Sequence, residues 1–446
     1  MRSARREKMS KINLNKAKSV HFFGVGGIGV SAIAKMALAG GKKVSGSDVT
    51  DSEILNELRK GGAEIFVGQK IPSIPRGVDL IVYSAAVEVA DPKFFGEIKK
   101  LPVPSISYAE ALGEISRNKF TIAVAGTHGK TTTTAMLATI LIVAGFNPTV
   151  VVGSLMVDPR TGRRTNFIGG GGKYFVVEAD EYRGNFLTLY PDLLVITNID
   201  EDHLDFFRDI FDIRGAFAAL AGRLPKNGAV VTDFSLEHAA FVVQSAGRPA
   251  FDYRSFDWPL SLEVPGAHNL ANAKAAAMAA AVLGVAPKAA AASLSDFGGV
   301  ARRFERRGKT AAGALVYDDY AHNPPKVAAL LAGAREFFGG KRIIAVFQPH
   351  LYSRTKTLFE KFARVFQNAD EVIFAPIFAA REAPDGTVSA EMLAEAVRKN
   401  NPGKLVRCIA GFGEIAGYLS GAAGKDDVII TIGAGDIYKV ADLLVA

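Results

Sequence analysis

The 446-residue chain contains one cysteine, Cys408, which excludes an intramolecular disulfide and any cysteine-cluster metal site. Its setting, "KLVRCIAG", is strand-like and points to a buried, inert thiol. No apolar run approaches the ~20 residues that a membrane span requires. With 49% hydrophobic and 22% charged residues the composition is that of a soluble globular protein, and a cytoplasmic location is expected. The seven histidines include no H-x-x-H or H-x-x-x-H pair, so a histidine zinc site is not expected. A basic stripe interleaved with aromatics is also missing, which removes nucleic acid as an expected partner. The net charge of +8 is largely local: seven Lys and Arg against one Glu fall in residues 1–18, read as a flexible, solvated arm without an apolar signal region.

Single cores stop growing near roughly 250 to 300 residues, so several domains are expected. Strand-like apolar runs alternate with helical patterns almost throughout, which predicts an α/β protein with mostly parallel sheets. Breaks in the pattern divide the chain, beyond the arm, into blocks at 19–117, 118–307 and 308–446. The stripe Leu358, Phe359, Phe362, Val365 and Phe366 predicts one core-facing helix over 355–369.

Two glycine loops carry the chemistry. In "HFFGVGGIGVSAIA", Gly24, Gly26 and Gly29 fit G-x-G-x-x-G between a strand and a helix, with Asp48 about 20 residues on. In "FTIAVAGTHGKTTTTAMLATILIVAG", the segment Gly126, Thr127, His128, Gly129, Lys130, Thr131, Thr132 follows a strand and opens a helix. Such a loop turns backbone N–H groups toward phosphate, Lys130 reaches the β- and γ-phosphates and Thr131 can hold Mg²⁺. It departs from the strict G-x-x-x-x-G-K-[ST] pattern at Val124. Downstream, "VVEADEYRGNF" and "VITNIDEDHLDFF" place Glu178, Glu181, Asp200, Asp202, His203 and Asp205 at the ends of two strands, where Mg²⁺ ligands are expected. A simple dehydrogenase, the first reading of Gly24 to Gly29, has no use for the second loop.

These segments, together with "PGAHNLANAKAA", "FGGVARRFE", "YDDYAHNP", "FQPHLYSRT" and "TIGAGDI", occur in one order from residue 21 to residue 437. In that order they resemble the Mur ligases, the ATP-dependent amide-forming enzymes of peptidoglycan precursor synthesis, and within them the branch that adds L-alanine to UDP-N-acetylmuramate. The resemblance implies three domains in order: a Rossmann-like UDP-binding domain, a P-loop ATPase-like domain and a Rossmann-like C-terminal domain. It also implies ATP with Mg²⁺, or Mn²⁺ in its place, and the two substrates UDP-N-acetylmuramate and L-alanine.

By the same resemblance Gly26, Gly27, Gly29, Ser31, Asp48 and Ser84 would cradle the UDP-sugar. Lys130 would hold the γ-phosphate, Thr131 and Glu178 one Mg²⁺, His203 a second, and His128 would lie near the transferred phosphate. Gly126, Thr127, Gly129 and Thr132 would complete the phosphate loop. His268, Asn269 and Asn272 would lie on the adenine side, Arg303 on ATP phosphate and Asp318 on its ribose. Arg302, Arg306 and Arg307 are read as a solvated linker face. Tyr320, His322 and Arg354 would form the alanine side, with Arg354 suited to a bidentate grip on a carboxylate. Two details sort the branches. Leu351 follows "QPH" where the alanine-adding pattern often has Arg. The segment "IFDIRGAFAALAGRL" lacks the lysine that ligases adding later residues carry after "HLD". The ligase that attaches a preformed tripeptide to the same UDP-sugar ranks second, because its third-domain motif differs from "FQPHLYSRT".

Overall fold

The computed structural model describes residues 14–204, 206–262, 264, 266–295, 297–380 and 382–445. Residues 1–13 of the arm expected over 1–18, and Asp205, lie outside the described residues, whereas 14–18 of that arm are described. From Leu14 the chain is packed: Leu14 and Ala17 are buried, and Leu14 N–H donates to Glu114.

The chain folds into three α/β sheets. In the first, β1 (Ser19–Phe23), β2 (Lys43–Asp48), β3 (Glu64–Val67), β4 (Leu80–Tyr83) and β5 (Ser105–Ser107) are all parallel in the order 3-2-1-4-5. The order reverses between β1 and β4, and a crevice opens beyond the carboxyl ends of strands at such a switch point. The glycine loop after β1 and Ser84 after β4 sit there.

The second sheet runs β12 (Ala250–Asp252), β11 (Ala229–Thr232), β10 (Leu193–Ile196), β6 (Phe120–Ala125), β9 (Tyr174–Glu178), β7 (Thr149–Val157), β8 (Arg164–Ile168). All pairs are parallel except the β7–β8 hairpin. Because β9 and β10 flank β6, the segments that follow these three strands emerge side by side. Ile122 to Ala125 are fully buried, as the central strand of a sheet covered on both faces must be. The helix Lys130–Val143 is buried from Thr131 to Leu141, although four consecutive threonines are poor helix formers. Burial on all sides overrides propensity here, and the Thr134 and Thr139 hydroxyls are satisfied on the carbonyls of Lys130 and Ala135.

The third sheet runs β13 (Glu305–Lys309), β14 (Leu315–Asp319), β18 (Asp427–Ile432), β15 (Arg342–Phe347), β16 (Glu371–Phe374), β17 (Leu405–Cys408), parallel except for β13 against β14. The first two sheets belong to one compact unit, which also takes Ala271–Gly298. The third belongs to a second unit that takes Leu262–Leu270 and the chain from Gly299 on.

Two sequence expectations need correction. The helix expected over 355–369 is two short ones, Tyr352–Thr357 and Phe359–Phe362, interrupted at Leu358 with φ −105°. Beyond them Phe366 packs on Phe347 and Phe374 from a non-helical segment, so core contact rather than helical period sets that stretch. Cys408 ends β17 but is only half-buried; burial, with Glu391 beside it, still pushes the thiol up to about 12, which keeps it unreactive. No helix among the described residues is long and apolar enough to cross a membrane.

Candidate active site

The first loop is shaped by contacts that only glycine tolerates. A Cβ on Gly24, whose φ is +73°, would lie 2.9 Å from the Ser84 Cβ, and one on Gly29 2.6 Å from the Tyr108 ring. Gly26 N–H donates to Asp48 Oδ2 at 2.8 Å, so the carboxylate at the end of β2 braces the loop. Gly27 caps the helix Ile28–Ala39 with no side chain of its own, leaving that N-terminus open to an anion. Ser31 is fully buried, its hydroxyl bonded to Ile28 O and to Asn166. It braces the first turn of the helix.

The second loop is clamped by the segment after β10. Gly126 has φ +139°, and a Cβ there would meet Thr197 Oγ1 at 2.0 Å; Gly129 has φ +83°, and its Cβ would meet Asn272 Oδ1 at 2.2 Å. Asn198 accepts from His128 N at 2.9 Å and donates to His128 O at 3.0 Å, while the Thr127 hydroxyl bridges Asp200 O and N. Lys130 Nζ is folded back over its loop, donating to Gly126 O at 2.6 Å and pairing with Glu181 at 2.8 Å. The Thr131 hydroxyl donates to Glu178 Oε1 at 2.8 Å, and the other Glu178 oxygen accepts from Gly153 N at 2.7 Å. Burial pushes Glu181 above the usual carboxylate range, against the pull of Lys130. Its Oε1 lies 3.7 Å from His203 Nε2, and Asp180, Glu181 and His203 offer ligand atoms within 4.8 Å of one another.

These donors suit Mg²⁺. It takes hard oxygen ligands, and the Thr131 hydroxyl and Glu178 carboxylate supply them at the edge of the phosphate loop. A Cβ at Gly153 would intrude to 2.6 Å from Glu178 Oε2, so the strand leaves the carboxylate its room.

A third cluster lies in the other unit, after β14, β15 and β18. His322 Nδ1 is 2.9 Å from Tyr320 O. Since a carbonyl only accepts, Nδ1 carries the proton and Nε2 keeps its lone pair. Burial, reinforced by Lys326, pushes this imidazole down to about 3. Arg354 Nη1 donates to His350 Nδ1 at 3.2 Å, and the rings of His322 and His350 are 6.1 Å apart. Leu351, at φ +70°, turns the chain between His350 and the helix that carries Arg354. Asp319 accepts from the N–H groups of Phe304 and Ala321 at 2.7 Å each; burial raises it, and Arg303 and then His268 act against that.

Three family models match in chain order: the Mur ligase family catalytic domain over residues 19–120, the Mur ligase middle domain over 124–257 and the Mur ligase glutamate ligase domain over 302–435. The chain belongs to the Mur ligase family. It is 39% identical to the UDP-N-acetylmuramate--L-alanine ligase of Clostridium novyi (strain NT), over 96% of this chain and 97% of that one. The ligase of the same name from Geobacter sp. (strain M21) is also 39% identical, over 96% and 97%. Among solved structures, the UDP-N-acetylmuramate-alanine ligase of Thermotoga maritima superposes with a TM-score of 0.81 at 28% identity, covering 96% of this chain and 98% of that one. A murein peptide ligase from Psychrobacter arcticus, at 24% identity and TM-score 0.69 over 96% and 98%, shares the fold.

On this Mur ligase scaffold the residues singled out from sequence fall into groups. Gly26, Gly27, Gly29, Asp48 and Ser84 meet around the first loop, and Gly126 to Thr132 with Glu178 around the second. Glu178 stands with Thr131, whereas His203 stands with Glu181 and Asp180. Asn272 touches Gly129, but His268 and Asn269 belong to the other unit. Tyr320, His322 and Arg354 come together, joined by His350.

The arginines differ from expectation. Arg302 is no solvated linker: with φ +59° it donates to Asp318 at 2.9 Å and to the carbonyls of Gly433 and Gly435, between the rings of Tyr320 and Tyr438. Arg307 pairs with Glu305 and Asp442, and only Arg306 is exposed. Asp318 is fully buried on Arg302 and Thr431, while its neighbour Asp319 shares a site with Arg303 and His268. Sequence reading missed Tyr108, Asn166, Asn198 and Asp319. The doublet Asp318-Asp319 carried a signal, since adjacent strand residues point to opposite faces and only one of the two can reach the site.

Proposed function

We propose that this chain is an ATP-dependent ligase that joins L-alanine to the lactyl carboxylate of UDP-N-acetylmuramate through an acyl phosphate, in the cytoplasm. The observation that carries it is a clamped phosphate loop whose Lys130 and Thr131 are bonded to Glu181 and Glu178, in one compact unit with a second, anion-ready glycine loop. One loop receives the diphosphate of the UDP-sugar and the other the triphosphate of ATP. The relatives named above support L-alanine as the amine.

In this reading a carboxylate oxygen of the sugar attacks the γ-phosphorus, the β,γ-bridging O–P bond breaks, and ADP leaves. The amine nitrogen then adds to the acyl carbon, the C–O bond to phosphate breaks, and inorganic phosphate departs as the nitrogen loses its proton. Lys130 exchanges Glu181 for the γ-phosphate, and the N–H groups of the loop and of the helix N-terminus stabilise the charge that develops on it. Thr131 and Glu178 would hold one Mg²⁺ and His203 another, neutralising phosphate charge. Arg354 grips the α-carboxylate of alanine, and the unprotonated Nε2 of His322 accepts from its amine. We assign the carboxylate that serves ATP beside Arg303 to Asp319 in place of Asp318. No protein nucleophile is required; the work is positioning and charge neutralisation.

The test is phosphate release from Mg·ATP with UDP-N-acetylmuramate, run with L-alanine, with the L-alanyl-γ-D-glutamyl-diaminopimelate tripeptide and with no amine, alongside mass spectrometry of the product. Turnover that depends on L-alanine and yields the alanyl adduct is the expected result. Turnover with the tripeptide alone would replace the amine, and silence in every arm would reject the ligase.

A further inference from the structure

We propose that Asn166 is a positioning residue for the UDP-sugar loop and that the β7–β8 hairpin carrying it couples occupancy of the two glycine loops. The proposal rests on the UDP-sugar reading of the first loop.

Asn166 lies on β8, in the central sheet, yet its side chain bonds to Ile28, Ser31 and Lys35 on the first helix beside the first sheet. It is fully buried. Its Nδ2 donates to Ile28 O at 2.5 Å and to Ser31 Oγ at 2.8 Å, and its Oδ1 accepts from Lys35 Nζ at 2.9 Å. Lys35 in turn pairs with Glu57 at 2.7 Å. Both amide N–H groups and the carbonyl are thus in use, in a place where an unsatisfied polar group would be costly. The partners are not arbitrary. Ile28 and Ser31 form the first turn of the helix capped by Gly27, which no side chain caps and whose N-terminus is open to an anion. Whatever fixes that turn fixes the anion seat.

The other strand of the same hairpin reaches the second loop. Gly153 on β7 donates its N–H to Glu178, and Glu178 accepts from Thr131 at the start of the phosphate-loop helix. The two strands pair through Val151 with Phe167 and Met156 with Thr165, and the register breaks between these pairs, in the irregular stretch that holds both Gly153 and Asn166. The hairpin therefore joins the hydrogen bonds at Thr131 and Glu178 to those at Ser31 and Ile28 through the backbone of that stretch and the pairs on either side of it. A shift of Glu178 when Mg·ATP binds is transmitted to the strand that holds Asn166, and a shift of the first helix on UDP-sugar binding is transmitted back. Binding couplings of this kind are reciprocal.

The experiment is titration calorimetry on the full chain. UDP-N-acetylmuramate is added with and without Mg²⁺ and a non-hydrolysable ATP analogue, and the analogue with and without the UDP-sugar. For the unaltered chain the analogue is expected to tighten UDP-sugar binding by about 5- to 150-fold, with the same factor in the reverse order. Asn166→Ala is expected to weaken UDP-sugar binding about 5- to 50-fold through the two lost donors. The analogue measured alone keeps its affinity, and the coupling factor falls toward one. Asn166→Asp preserves volume and the Lys35 partner while removing the donors, so it must show the same pattern, and it carries the test if the alanine variant does not fold. Wild-type affinity and coupling in either folded variant would overturn the proposal. Equal weakening of both ligands would mark Asn166 as scaffold and overturn it too. If the unaltered chain bound no UDP-N-acetylmuramate, the reading of the first loop would itself fail.

Discussion

Lys130 is held by acceptors of its own chain, Gly126 O, Thr127 O and Glu181, before any phosphate arrives. Its ammonium serves only the ATP side in the proposed reaction. Lys130→Ala is therefore expected to reduce kcat by about 10²- to 10³-fold, the scale of losing one charge-stabilising donor. UDP-N-acetylmuramate binding by calorimetry should stay intact; near-normal turnover would reject the role. A second residue governs pH dependence. His21 is fully buried in β1, bonded through Nδ1 to Ser45, and burial pushes it down to about 4 from 6.5. Between those values the unfolded chain binds a proton that the folded chain refuses. The contribution of this site to stability is thus complete above 6.5 and is lost as pH falls toward 4. His322 acts in the same direction, whereas Glu181, Asp318 and Asp319, with raised carboxyl groups, act oppositely. Urea unfolding of His21→Asn should show the slope of stability against pH in this window reduced by up to one proton, about 1.4 kcal/mol per pH unit. An unchanged slope would contradict a neutral buried His21.

At the scale of elements, the phosphate loop depends on the segment after β10, which supplies Thr197, Asn198 and the backbone of Asp200. Asn198→Ala removes the side chain that reads both the N–H and the carbonyl of His128. It should raise the KM for ATP about 10-fold and lower stability by about 1 to 3 kcal/mol, because the His128 N–H loses this acceptor while its carbonyl keeps Thr197. Steady-state kinetics with a parallel denaturation curve checks both. The strands that lead into the motif loops, the glycine loops and the helices that follow them were legible in sequence because their signals are local: a run of apolar residues, a glycine at a turn. The helix expected over 355–369 was not, since its apolar spacing is equally satisfied by two short helices and a coil segment packed on Phe347. Asn166 and Arg302 were illegible for another reason. For Asn166 every side-chain partner, and for Arg302 the two carbonyls of Gly433 and Gly435, lie more than 130 residues away in sequence, and nothing near them announces those contacts.

For the whole molecule, the order of motifs was the strongest sequence signal, and it ordered the three sheets correctly because each motif follows a strand end. The grouping into two compact units was not visible, since the first two sheets share one unit while the short segment Leu262–Leu270 joins the other. Both glycine loops fall in the larger unit, so UDP-N-acetylmuramate should stabilise that unit alone. Calorimetry is expected to show two unfolding transitions, of which one rises with the UDP-sugar by about 2.7 kcal/mol at one hundred times Kd. A single transition, or equal movement of both, would argue against separate units.

The contact between Gly29 and Tyr108 reaches further than the present chain. A methyl group at position 29 would fall 2.6 Å from the phenol ring, although the backbone there is ordinary helix and would accept alanine. The nearest obstacle is the ring. A side chain at position 29 therefore requires the ring at 108 to shrink or move aside, so the two positions are expected to change together.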